Sequence, residues 1–113
     1  MKALLAPFLV AIALPAAAHH GWSEYEQDKP LTLTGKVAGS GYEHPHGFIR
    51  LETPGKTWVV VLAPPSRMQA RGLPPEAIKP GAQVSVVAYA NRSKAEEARA
   101  ERITADGKTV ELR

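Results

Sequence analysis

Apolar and polar residues alternate along much of this chain with a period of two. In LTLTGKVAG, residues 31–39, Leu31, Leu33, Gly35 and Val37 fall on one side and Thr32, Thr34 and Lys36 on the other. That alternation predicts a half-buried strand. FIRLET, 48–53, repeats it, with Ile49 and Leu51 facing one way and Phe48, Arg50 and Glu52 the other. KTWVVVL, 56–62, is β-branched and nearly continuous, which predicts a central strand buried on both faces. AQVSVVAYA, 82–90, places Val84, Val86 and Ala88 on one face. RAERIT, 99–104, and KTVEL, 108–112, flank Asp106-Gly107, which predicts a terminal hairpin closed by that turn.

Breaks in the pattern punctuate these strands. SGYEHPHG, 40–47, reads as a loop, and Pro54-Gly55 as a turn. Pro64-Pro65 followed by SRMQARG predicts a short helix with proline at its start and Gly72 at its C-terminal end. Residues 74–81 form a proline-rich turn into the next strand, and NRSKAEEA, 91–98, is a polar loop or helical turn. The first three strands are joined by links too short for parallel crossovers. The expected fold is therefore all-β with one short helix: a small five- to six-stranded OB-like antiparallel barrel over residues 31–113, its helix between the third and fourth strands.

The beginning of the chain follows a different rule. Lys2 precedes an apolar run from Ala3 to Leu14, and Pro15 leads into Ala16-Ala17-Ala18. This is the pattern of a secretory signal peptide over residues 1–18, and the run is short of the roughly 20 residues a membrane span needs. Cleavage after Ala18 leaves an N-terminal arm, 19–30, ahead of the barrel. The expected location is periplasmic or secreted, with no membrane attachment after cleavage.

Composition narrows the chemistry. The 113 residues contain no cysteine, which removes disulfides, thiolate metal sites and cysteine catalysis. The net charge is +3 and the basic residues are dispersed, so no nucleic-acid track is expected. No serine sits in a G-x-S-x-G setting, and Glu24/Glu26 and Glu96/Glu97 read as solvated charge, so no catalytic group is expected.

The histidines carry the strongest signal. All four fall in two pairs, His19-His20 and His44-Pro45-His46. Cleavage after Ala18 makes His19 the first residue, so its free amine and imidazole chelate one metal together. A histidine of the second pair then completes a nitrogen-only, T-shaped site that suits copper. Cleavage one residue earlier makes His20 the third residue, and amine, amides and imidazole form a square-planar site for copper or nickel. Pro45 favours an extended His44, and in an extended chain His44 and His46 share a face. Three imidazoles with an open position also suit zinc, with Glu43 or Glu24 as an oxygen donor. A second function class rests on the aromatic residues: Tyr42, Phe48 and Trp58, around the first loop and the barrel face, would bind a small molecule or a cell-envelope protein without metal.

Several motifs together resemble a family of small secreted bacterial proteins of unknown function. They are Ala18-His19-His20-Gly21, Tyr25-Glu26, Leu33-Thr34-Gly35-Lys36-Val37, His44-Pro45-His46 and Ile78-Lys79-Pro80-Gly81-Ala82-Gln83-Val84. Asn91-Arg92, Ala98-Arg99 and Asp106-Gly107-Lys108 extend the match. The family pattern has Ser at Gly21, Asp at Glu26 and Asn at His44. The resemblance implies a secreted OB-like barrel with no established activity, and it singles out His19, His20 and His46 above His44. The function expected is periplasmic metal binding, with copper the leading ion.

Overall fold

The computed structural model describes residues 21–113. The signal peptide, His19 and His20 therefore lie outside the described residues. Six strands follow in order: β1 Leu31–Gly41, β2 Phe48–Thr53, β3 Lys56–Val61, β4 Gln83–Ala90, β5 Glu97–Ala105 and β6 Lys108–Glu111. One helix, α1 Pro65–Ala70, lies between β3 and β4, and short 3-10 turns occupy Trp22–Glu24 and Pro75–Ile78.

Strand directions explain how the barrel closes. β1–β2, β2–β3, β1–β4 and β4–β5 are antiparallel pairs. β1, β3 and β5 consequently run the same way, so the pair that joins β3 to β5 must be parallel. That pairing matches Val59 with Glu97, Val60 with Ala98 and Val61 with Arg99. The result is an OB-like barrel, with one parallel seam where an entirely antiparallel one was expected. β6 adds to β5 beyond the seam, pairing Arg102 with Glu111 through Ala105 with Lys108. The hairpin between them turns on Asp106 and Gly107, at φ of 51° and 73°. Two successive positive φ values make the type I′ geometry that follows the twist of the strands.

The alternation in the sequence sorts residues between core and outside. Val37, Ile49, Leu51, Val60, Val86, Ala98, Ala100 and Ile103 point into the barrel and are fully buried. Met68 of α1, also fully buried, joins this core. β3 differs from expectation. Its sequence predicts burial on both faces, yet only Val60 is fully buried, Val59 and Val61 are half-covered, and Lys56 and Thr57 are exposed. Val59 and Val61 face outward, and what covers them is partial. β5 begins at Glu97, earlier than the sequence suggests, because the seam with β3 draws residues 97–99 into the sheet.

The arm is packed onto the barrel. Tyr25 is 1% exposed and forms a β-bridge with Asn91. The Glu26 amide donates to the Ala90 carbonyl, and the Arg92 amide to the Glu24 carbonyl, both at 2.9 Å. The Arg92 side chain donates to the Ser23 carbonyl at 3.1 Å and pairs with Glu26 at 3.0 Å. Trp22 meets the Tyr89 ring edge-on at 5.9 Å and lies between the guanidinium groups of Arg99 (4.5 Å) and Arg113 (4.4 Å). A polar, aperiodic stretch thus holds its place through backbone hydrogen bonds, one buried aromatic and cation–π contacts.

Candidate cleft on the outer barrel face

The first loop and the parallel seam converge at one place. Gly47 donates its amide to the Ala63 carbonyl at 2.9 Å and accepts from the Leu62 amide at 2.8 Å. These bonds continue the β2–β3 ladder past Phe48 and fix the chain on which His46 sits. Around His46, a cavity of about 240 Å³ is lined by Tyr25 from the arm, Gly47 and Phe48, Val59 and Val61 of β3, and Glu97 and Arg99 of β5. Phe48, Val59, Val61, Glu97 and Arg99 all project from strand positions that alternate with core residues. Phe48 is 39% exposed, the one large apolar side chain so open among the described residues.

The polar groups of this cleft are arranged in pairs. The Tyr25 hydroxyl donates to Glu97 Oε2 at 2.7 Å, and the Asn91 amide donates to the same oxygen at 3.1 Å. The other Glu97 oxygen lies 4.0 Å from Lys94. Burial first, then the hydrogen bond to Glu97 and the charge of Glu97, push the Tyr25 phenol well above its ordinary range. Arg99 is 8% exposed, and its burial pushes the guanidinium down from its usual value. An arginine nonetheless stays charged at any physiological pH.

These shifts set an alkaline stability dependence. A phenol whose pKa is raised by folding contributes its full stability below the unfolded value, about 10, and loses it as pH rises above that. Burial also raises Tyr42 and Tyr89, with Glu76 and Glu101 adding to the effect. The melting temperature is expected to fall between pH 10 and 11.5, and to fall less in Tyr25→Phe. Thermal scans of both proteins across that range check this, and equal slopes would contradict it.

The predicted site residues are distributed as follows. His46 is half-buried and lines the cleft, whereas His44 is exposed. The chain bends at His44 and Pro45 rather than continuing as a strand. Among the described residues no three His, Cys, Asp or Glu side chains group as a metal cage. The aromatic set also separates. Phe48 faces the cleft, but the Tyr42 hydroxyl is committed to the Leu73 carbonyl, and Trp58 packs against the core beneath the Lys56 ammonium at 3.7 Å. Sequence reasoning missed Tyr25, Val59, Val61, Glu97 and Arg99. The signal for the two valines was the period-two alternation inside an apparently continuous run.

A second, larger groove of about 450 Å³ runs between the segment after α1 and the β5–β6 hairpin. Its floor is Leu73, Ala105 and Val110, and its rim carries Glu76, Lys79, Asp106 and Lys108. Two cations and two anions leave that rim without a net preference for either sign.

The fold and the cleft together define a small OB-like barrel whose N-terminal arm and first loop meet on its outer face. The chain belongs to a family of unknown function, DUF6152, which matches residues 6–99. No curated protein matches it.

Proposed function

We propose that this is a periplasmic copper-binding protein, built on the processed N-terminus with His19 and His20 and on His46 of the first loop. One observation carries the reading: Tyr25 of the arm and His46 of the loop line the same cleft. A shared site needs the arm to approach the loop, and the placement of Tyr25 supports that approach. His20 precedes Tyr25 by five residues, a tether of at most about 17 Å, and that reach supports a site shared with His46. A terminal amine has an ordinary pKa of about 7.7–8.0, and a metal displaces its proton readily near neutral pH. Amine and imidazole nitrogens without sulfur favour Cu(II), with nickel and zinc following.

The two loop histidines separate the reading from adventitious binding. His46→Ala is expected to weaken Cu(II) binding by roughly tenfold or more, about 1.4 kcal/mol, measured by competition with a chelator of known affinity. His44→Ala, at an exposed position, is expected to leave it unchanged. Unchanged affinity in His46→Ala would remove His46 from the site, and a loss in His44→Ala alone would move the ligand to the exposed position.

A further inference from the structure

The larger groove, between the segment after α1 and the β5–β6 hairpin, shares no lining residue with the cleft at His46. We infer that it binds a free apolar dipeptide in its zwitterionic form, with a side chain on the groove floor, the ammonium at Glu76 and the carboxylate at Lys108. Space, floor and rim each narrow the ligand.

The groove exists because Ala77, Ala82 and Ala105 line it, and each of these side chains ends at Cβ. Its volume of about 450 Å³ falls within the range of small-ligand pockets. At about 30 Å³ for each water it equals roughly fifteen waters, the scale of a dipeptide. Leu73, Ala105 and Val110 are buried, so the floor is an apolar surface backed by the core. That floor stabilises an aliphatic side chain and offers nothing to a fully polar solute. No aromatic ring lines the groove, so a nucleobase finds no stacking platform there.

The rim decides the charge. One bank carries Glu76 and Lys79, and the hairpin bank carries Asp106 and Lys108, so each presents one charge of each sign. All four residues are exposed, and among the described residues none of them forms an ion pair with another. A simple anion gains at a lysine and loses beside the acid on the same bank, and a simple cation meets the converse. A dipolar molecule gains at both ends. Two of the four charges stand at the Gly72–Leu73 backbone, one from each bank. Lys108 Nζ donates to the Gly72 carbonyl at 3.3 Å, which uses one of its three donors. The Tyr42 hydroxyl donates to the Leu73 carbonyl, and burial first, then the charge of Glu76, pushes that phenol up. Glu76 and Lys108 therefore bracket the floor with opposite signs, the order a zwitterion needs.

Alanyl-leucine and N-acetyl-alanyl-leucine amide, alike in side chains and different in end charges, test the inference on exported, processed, metal-free protein. An NMR titration with the free dipeptide is expected to give saturable shifts at Leu73, Ala77, Ala105 and Val110. The blocked peptide is expected to bind roughly fivefold more weakly or worse, the scale of two exposed ion pairs. Glu76→Gln and Lys108→Gln, both at exposed positions, are each expected to weaken the free dipeptide and leave the blocked one unchanged. A variant that had merely lost structure would weaken both. Ala77→Leu fills the floor and is expected to abolish binding of either peptide. Equal binding of the two peptides, shifts located elsewhere, or no saturable binding would overturn the assignment. Metal is excluded throughout, so the copper reading stands or falls separately.

Discussion

Tyr25→Ala is expected to cost about 3–5 kcal/mol of folding stability and to weaken copper binding in the same protein. The stability loss has two sources. The ring is 1% exposed, so its removal leaves a cavity between arm and barrel. Its hydroxyl donates to Glu97 at 2.7 Å, so truncation also leaves a partly buried carboxylate short of a donor. The functional loss follows from placement. Tyr25 ties the arm to Asn91 and closes one side of the cleft at His46. Without it, the terminal histidines are tethered to the barrel from further along the chain, and the effective concentration of one ligand set near the other drops. Tyr25→Phe keeps the ring and separates the effects: copper binding is retained, and stability falls by about 1 kcal/mol. Urea denaturation and chelator competition on the two variants read both quantities. Copper affinity unchanged in Tyr25→Ala would show that the arm does not bring the ligands together.

Gly35→Ala is expected to destabilise the barrel by about 1–3 kcal/mol, the range for overpacking a filled site. At Gly35, β1 parts from β2 while remaining paired with β4, opposite Val84. A Cβ at this position would stand 1.9 Å from the Glu52 carbonyl oxygen and 2.9 Å from its carbon. Those are backbone atoms of β2, two residues before the Pro54-Gly55 turn, so no side-chain rotation relieves the clash. Either β1 or the hairpin must shift, and Lys36–Glu52 pairing lies next to both. Thr32→Ala, at an exposed position on the same strand, is the control and should stay within about 0.5 kcal/mol. Matched urea curves for the two variants check the difference. Equal midpoints would contradict the close approach.

The sequence made the barrel largely legible because its strands have one wet and one dry face. Leu31 to Val37 and Phe48 to Glu52 announce their inner residues by alternation alone. Asp106-Gly107 names its own turn, since few other pairs accept two positive φ values. β3 misled because Val59, Val60 and Val61 look alike in a list of residues. Only the fold shows that Val60 meets the core while its neighbours line an outer cleft. The parallel seam was equally hidden: it joins residues 38 positions apart, Val59 with Glu97, and short-range periodicity does not report such pairings.

The site divided along the same line. His46 was legible as a member of a conspicuous pair, and its partner His44 turned out to be exposed once the loop bent. Tyr25, Glu97 and Arg99 were not legible, for reasons of chemistry. A charged residue in a polar stretch reads as solvated, yet Glu97 and Arg99 sit on the seam strand under the arm. Arg99, 8% exposed, lies over the ring of Trp22, 77 residues away in sequence.

In the proposed site the processed terminus and His46 hold one copper ion between them. Cu(II) titration followed by electron paramagnetic resonance tests it most directly. Two samples are needed: protein exported and processed by a bacterial host, and the same chain with a Gly-Ser leader before His19. A one-to-one, nitrogen-rich signal is expected, tight in the processed protein and lost with the leader. Equally tight binding in both samples, or no tight site in either, would contradict it.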